Sequence, residues 1–358
     1  MPPDTTISQH LAPANGSQPT PSAAVGPAGD GRAEWWSGLV ACLGAAALCL
    51  TLNAAVPAVS AMLVAVVLGA LWRNLAPVPA VLEPGIGFAA KRVLRWGVVL
   101  LGLQLSLPRI GQLGPGVLLV VVCAVGITFG ATLLLGRLLR VDRDLTLLIA
   151  GGFSICGAAA VAGVQGAVRA TEEKVAAAVA LVVLFGSAMI GLMPVLAALT
   201  GLAPGDAGTL IGGATHEVAQ VVAAAGIAKG SQVLAVAVPV KLARVLMMAP
   251  VVACVSVARR RSADRSATLP PLVPGFVLGF LAMVLVATTG WVPADVDRVA
   301  RWVQQVLLAT AMFALGLGVR VRSLVNLGGR AVLLGLASTV VIVGVVSVGI
   351  ALGLGAHG

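Results

Sequence analysis

The chain has 358 residues; 59% are apolar, only 10% are charged, and Tyr is absent. Soluble domains carry roughly 25% charged residues, so this composition excludes an ordinary soluble protein and indicates an all-α polytopic membrane protein held in a lipid bilayer. The net charge of +10 does not mark a nucleic-acid binder, because the basic residues are scattered between apolar spans, where they act as membrane-flanking anchors.

Residues 1–34 are rich in Pro, Gly, Ala, Ser and Thr without an apolar period, which reads as a disordered cytoplasmic tail. Residues 35–358 then form the transmembrane domain. Trp35 and Trp36 mark its first interface. A spanning helix needs about 20 apolar residues. Eleven segments qualify: 36–55, 57–73, 92–108, 115–138, 145–169, 174–199, 207–227, 231–257, 271–290, 299–318 and 330–353. The expected architecture is therefore 10–11 transmembrane helices. Glycine pairs and polar groups interrupt the fifth and seventh, so two of them are discontinuous. With the N-terminus inside, fifteen Lys and Arg fall on inner segments and six on outer ones, which favours a cytoplasmic N-terminus.

Two internal likenesses appear. Shifting the chain by 214 residues places Leu101-Gly102-Leu103 on Leu315-Gly316-Leu317 and Leu113-Gly114 on Leu327-Gly328. The helices so related point in opposite directions, as in the inverted repeats of secondary transporters. Gly151-Gly152-Phe153-Ser154 also resembles Gly212-Gly213-Ala214-Thr215. Gly-Gly permits unwinding, and Ser or Thr is a preferred N-cap. Each motif thus predicts a break followed by a half-helix whose N-terminus, capped by Ser154 or Thr215, lies inside the membrane and favours an anion. The alternative reading is ordinary small-residue helix packing.

Ionisable groups inside a bilayer are costly and therefore functional candidates. His216, Glu217 and Gln220 interrupt one apolar span, and Lys241 and Arg244 another. His216-Glu217-Val218-Ala219-Gln220 is not a zincin site, since Gln220 stands where a second His is needed. The five cysteines form no CxxC pair, so neither a metal nor a disulfide framework is expected. Lys241 and Arg244 share a helix face and suit an oxyanion. Glu217 either pairs with them when the site is empty or, like His216, takes up a proton as the anion arrives. A static buried ion pair that fixes helix packing is the plain alternative. Gln104, Gln165, Gln304 and Gln305 are lesser candidates for a polar path.

The order of motifs resembles that of the YeiH-type bacterial inner-membrane proteins, a family labelled as sulfate exporters. The matching stretches are 95–106, Ser154-Ile155-Cys156-Gly157-Ala158, Glu172-Glu173, Leu184-Phe185-Gly186, 216–224 and Lys241-Leu242-Ala243-Arg244. The chain departs at Phe153, where a small polar residue is expected. The resemblance implies a fold similar to the bile-acid-symporter and sodium/proton-antiporter class, with crossed discontinuous helices, in the bacterial cytoplasmic membrane.

These readings converge on a secondary transporter that moves a small inorganic or organic anion, sulfate or an organosulfonate, by alternating access. Ser154, Cys156, Gly157, Thr215, His216, Gln220, Lys241 and Arg244 are the expected substrate contacts, and His216 and Glu217 the coupling or gating groups. A homo-oligomer is compatible with the sequence. The competing reading is a cation/proton exchanger of the same fold with Glu217 as carrier. No cofactor is expected, and neither a nucleophile–base pair nor a metal cluster points to an enzyme.

Overall fold

The structure, a computed structural model, describes residues 31–55, 61–105, 107–168, 170–228, 231–261, 274–319 and 329–356. Residues 1–30, most of the expected tail, lie outside these, as do Leu327-Gly328 of the proposed repeat. The helices are α1 (Gly31–Ala55), α2 (Ala61–Leu75), α3 (Glu83–Phe88), α4 (Leu94–Leu101), α5 (Leu107–Gly111) and α6 (Gly114–Leu138). They continue as α7 (Arg143–Ser154), α8 (Ala158–Val168), α9 (Glu172–Leu199), α10 (Pro204–Ala214) and α11 (Val218–Ile227). The rest are α12 (Ser231–Leu246), α13 (Met248–Arg261), α14 (Gly275–Thr289), α15 (Ala294–Leu317) and α16 (Gly329–Gly349). Each of the eleven apolar segments contains helix, and among the described residues six helical spans, with α12 and α13 taken together, are long and apolar enough to cross a membrane.

The helices sort into two bundles. In the scaffold bundle, α15 packs on α1, α2 and α4, α1 on α3, and α14 on α4. Small residues let these helices approach closely, as membrane packing requires where lipid offers no hydrophobic drive. A Cβ added at Gly69 would lie 2.3 Å from the Phe313 carbonyl oxygen, and one at Gly316 2.3 Å from that of Val66. The hairpin bundle holds α6 to α13 and α16, with α16 packed along α6 and α10.

The two discontinuous helices define the second bundle, and each folds back on itself. α7 and α8 lie side by side: an added Cβ at Gly151 would meet Val164, and one at Gly152 would meet Val161. Asp142 and Asp144, at the start of α7, pair with Lys174 of α9 at 2.7 and 3.5 Å. The start of α7 and the end of α8 therefore share one end of the molecule. Likewise Pro204 and Ala207 of α10 line one cavity with Ile227, Ala228 and Ser231, so α10 enters and α11 returns at the opposite end. Helix α9 and the α12–α13 pair each follow a hairpin and run the length of the bundle. Hairpin plus long helix thus occurs twice, in opposite orientations, and the hairpin tips meet in the middle. The Gly-Gly pairs stay helical, because their missing side chains serve close packing. The chain breaks three residues after the first pair, at 155–157, and two after the second, at 215–217.

This topology gathers the basic residues. Arg73, Lys91, Arg137, Arg143, Lys174, Arg259 and Arg330 all lie at the end where α1 begins, hereafter the basic end. Lys174, an outer residue in a count that lets every segment cross, moves to this end because α7–α8 returns. Arg109, Arg298 and Arg301 lie at the other end.

Asp142 caps α7 by accepting from the Asp144 and Leu145 amides at 3.0 and 3.1 Å. Burial pushes its carboxyl up, but the Lys174 hydrogen bond and charge and the two amides outweigh this and hold it below the usual carboxylate range. A group depressed on folding stabilises above its unfolded pKa, about 4, and that stability is lost as pH falls through the folded value. Asp142→Asn keeps the cap and removes the charge. It is expected to lower the melting temperature at neutral pH, with the gap to wild type closing as the pH drops below about 4. An equal gap at both pH values would show that the charge is not the cause.

Candidate functional site

At the hairpin tips the helix ends are sorted by sign. The last carbonyls of a helix lack intrahelical donors and carry the negative end of its dipole. Those of α7 and α10 converge on two buried cations. Arg244 donates to the carbonyls of Phe153 (3.1 Å), Ser154 (3.0 Å), Gly213 (2.8 Å) and Thr215 (2.8 Å). Lys241 Nζ donates to those of Ile155 and Thr215, both at 2.8 Å. Helix α12 supplies both side chains one turn apart, and both are fully buried.

The positive ends belong to α8 and α11, and they converge on one carboxylate. Glu217 is the N-cap of α11. Its side chain accepts from the Gln220 amide, while Gln220 Oε1 accepts from the Glu217 amide at 3.0 Å, a reciprocal capping box. Glu217 Oε1 also accepts from the Ala158 amide, the first of α8, at 3.2 Å. One carboxylate thus closes helices from both hairpins. Gly157 makes room for it: its φ is +75°, and a Cβ there would lie 2.5 Å from Glu217 Cγ. Gly186 does the same for Gln220, whose Oε1 would be 2.2 Å from a Cβ.

A cavity of about 670 Å³ lies between the two bundles and ends on these tips. Cys156, Glu217, Val218 and Val222 form its hairpin wall; Val98, Leu101, Gln104, Gln304, Gln305 and Leu308 form its scaffold wall. It extends past Gly226, Asn53 and Arg301, toward the end opposite the basic one. Gln104 Nε2, in the short turn that follows α4, donates to Gln304 Oε1 of α15. A smaller cavity of about 170 Å³ lies at the basic end, lined by Arg73, Lys91, Gln165 and Glu172. There Lys91 of the scaffold pairs with Glu172 of α9.

The expected site residues therefore fall into three groups. Cys156, Gly157, Glu217 and Gln220 gather at the half-helix N-termini. Ser154, Thr215, Lys241 and Arg244 gather behind them at the C-terminal ends, and none of the four lines the cavity. His216 is buried apart, against the Phe153 ring at 4.6 Å and with Nε2 3.2 Å from Thr339 Oγ1. Ser154 and Thr215 are not N-caps. Ser154 ends α7 and its hydroxyl donates to the Ala150 carbonyl at 2.6 Å, while Thr215 is the C-cap of α10. Capping preference is a weak local signal, and the packing of the Gly-Gly turns overrides it. Glu217 makes no direct ion pair with Lys241 or Arg244; it turns to the two N-termini. Arg301 was not singled out in the sequence. Its signal is the spacing Arg301, Gln304, Gln305, which puts three polar groups on one face of α15. Among the described residues no group of three or more His, Cys, Asp or Glu is placed to hold a metal ion.

Comparison with known proteins places the chain among membrane proteins. Residues 37–335 match the family described as conserved hypothetical protein 698. A UPF0324 membrane protein of Corynebacterium glutamicum is 44% identical over 318 residues, covering 88% of this chain and 92% of its own. The chain belongs to the UPF0324 family of membrane proteins. Another relative, UPF0324 membrane protein TauZ of Paracoccus denitrificans, is 36% identical over 297 residues, 81% of this chain and 87% of its own. A UPF0324 membrane protein of Bacillus cereus is 35% identical over 284 residues, 78% and 80% of the two chains. No solved structure matches. This UPF0324 chain is a bacterial multi-pass membrane protein with a transporter-like fold: opposed hairpins, a seam between two bundles, and a largely apolar cavity with a few polar groups that ends at the tips.

Proposed function

We propose that this UPF0324 protein is a secondary transporter of a small oxyanion, sulfate or an organosulfonate, working by alternating access in the cytoplasmic membrane with its basic end inside. One observation carries the choice of anion over cation. Transporters that bind cations at helix breaks use unwound carbonyls and helix C-termini as ligands. Here those carbonyls are already occupied by Lys241 and Arg244. The helix ends turned to the cavity are N-termini, which favour an anion, and the anion in place is Glu217.

An incoming anion competes with Glu217 for the same amides. Protonation of Glu217 weakens its hold on them and removes the charge that repels the substrate, so anion entry and proton uptake become linked. Cys156, Gly157 and Gln220 shape the receiving site. Lys241 and Arg244 act through the hairpins: they fix the tips and raise the positive potential behind them.

Glu217→Gln tests this, because the amide oxygen still caps both helices but cannot take up a proton. Purified protein in liposomes should accumulate radiolabelled sulfate or an alkylsulfonate when an acid-side gradient is applied. E217Q should lose that drive by at least about tenfold, a difference of about 1.4 kcal/mol, and keep exchange of one anion for another. The reading of Glu217 as a cation/proton carrier draws on its being the acidic side chain of the cavity. It would instead give proton flux driven by a cation gradient, with no anion uptake.

A further inference from the structure

We infer that Arg301 is the first substrate-binding cation, receiving the anion at the mouth of the cavity before it reaches the hairpin tips. This rests on the anion-transport reading above and adds a recognition residue on the scaffold bundle. Among the described residues the cavity lining carries two formally charged side chains, Glu217 at the inner end and Arg301 near the outer rim. Lys241 and Arg244 do not line this cavity; they lie behind the tips, bonded to their backbone carbonyls. An oxyanion that enters this cavity therefore meets Arg301 as its charge partner.

The surroundings of Arg301 fit that task. Its side chain is 48% exposed and is tethered by Asp297 one turn back on α15, which limits its reach without burying it. A guanidinium offers paired N–H donors that match two oxygens of a sulfate or sulfonate. Gln304 and Gln305 follow at three and four residues on the same face and line the same cavity. They continue the polar strip toward Glu217, and most of the remaining lining is apolar. An i, i+4 ion pair on an exposed helix surface contributes only about 0.3–0.5 kcal/mol, so the pair with Asp297 by itself gives the cavity-lining arginine little stabilising purpose.

The test is initial-rate uptake of radiolabelled sulfate and of an alkylsulfonate by wild type, Arg301→Gln, Arg301→Lys and Asp297→Asn in liposomes of neutral lipid. R301Q should raise KM about tenfold, or about 1.4 kcal/mol, with a much smaller change in maximal rate. R301K should fall between it and wild type, because it keeps the charge and loses the paired donors. D297N, which frees the arginine, should not raise KM. The rise in KM should shrink at high ionic strength, since an exposed charge is screened. A purely structural arginine would lower the amount of folded carrier and the maximal rate at constant KM, and that outcome overturns the inference. Wild-type uptake with the same KM in R301Q overturns it alone; wild-type vesicles that take up neither anion overturn it together with the transport reading.

Discussion

Arg244→Met is expected to cost this protein its folded state before it costs it any substrate. Methionine replaces much of the apolar stem of the side chain but none of the donors. The carbonyls of Phe153, Ser154 and Gly213 then face a buried site without the donors they lose, and Thr215 keeps Lys241 alone. Each buried polar group left unsatisfied costs about 1–3 kcal/mol, a sum comparable with the whole stability of a typical domain. The loss should appear as a melting temperature in detergent far below wild type, or as protein that fails to elute as a single species. Arg244→Lys should recover part of it, since an ammonium keeps the charge but has three donors in a different geometry. An R244M protein that melts like wild type and has lost only anion transport would place Arg244 on the substrate and refute the capping role.

Gly212→Ala is the second large effect expected. A Cβ there would sit 2.2 Å from the Ala237 carbonyl oxygen and 3.0 Å from its carbon. These are backbone atoms and cannot rotate away, so α10 must move off α12. Overpacking a tight helix contact costs about 1–3 kcal/mol, occasionally more. The displacement also pulls the second tip away from Lys241, Arg244 and the Ala158 amide, so transport should fall more than stability. Gly213→Ala is the control. Its Cβ would meet the Val346 side chain at 2.9 Å, which can turn, and the effect should be smaller in both assays. Equal effects from the two substitutions would mean that the α10–α12 contact is not what positions the tip.

Much of this molecule was legible in the sequence, for reasons that can be named. Hydropathy found all eleven helical segments, since a bilayer demands apolar residues wherever backbone crosses it. The ionisable residues in those segments marked the centre, and Gly151-Gly152 and Gly212-Gly213 marked its two halves. The return of the hairpins was not legible from hydropathy. Residues 143–168 make two short helices whose summed length and apolarity equal one crossing, so the profile is the same whether the chain goes through or comes back. Charge held the missing information: Arg143 and Lys174 flank that segment on both sides, as a re-entrant hairpin leaves them and a crossing does not. The roles of Glu217 and of Lys241 with Arg244 were assigned by charge type, cation to substrate and carboxylate to proton. Which helix ends they meet depends on where the chain breaks, and a shift of two or three residues decides that. The distance between Arg301 and Glu217 in the chain hides that both line one cavity.

The sorting of helix ends also has an electrical side. Arg244 and Lys241 are balanced by peptide dipoles, and dipoles cancel no net charge. Two cations against the one carboxylate of Glu217 leave the centre of the protein with an excess positive charge at mid-membrane. A membrane voltage acts on that excess at about 2.3 kcal/mol per elementary charge for each 100 mV traversed. The voltage across the cell membrane is therefore part of the energetics of any displacement of these tips.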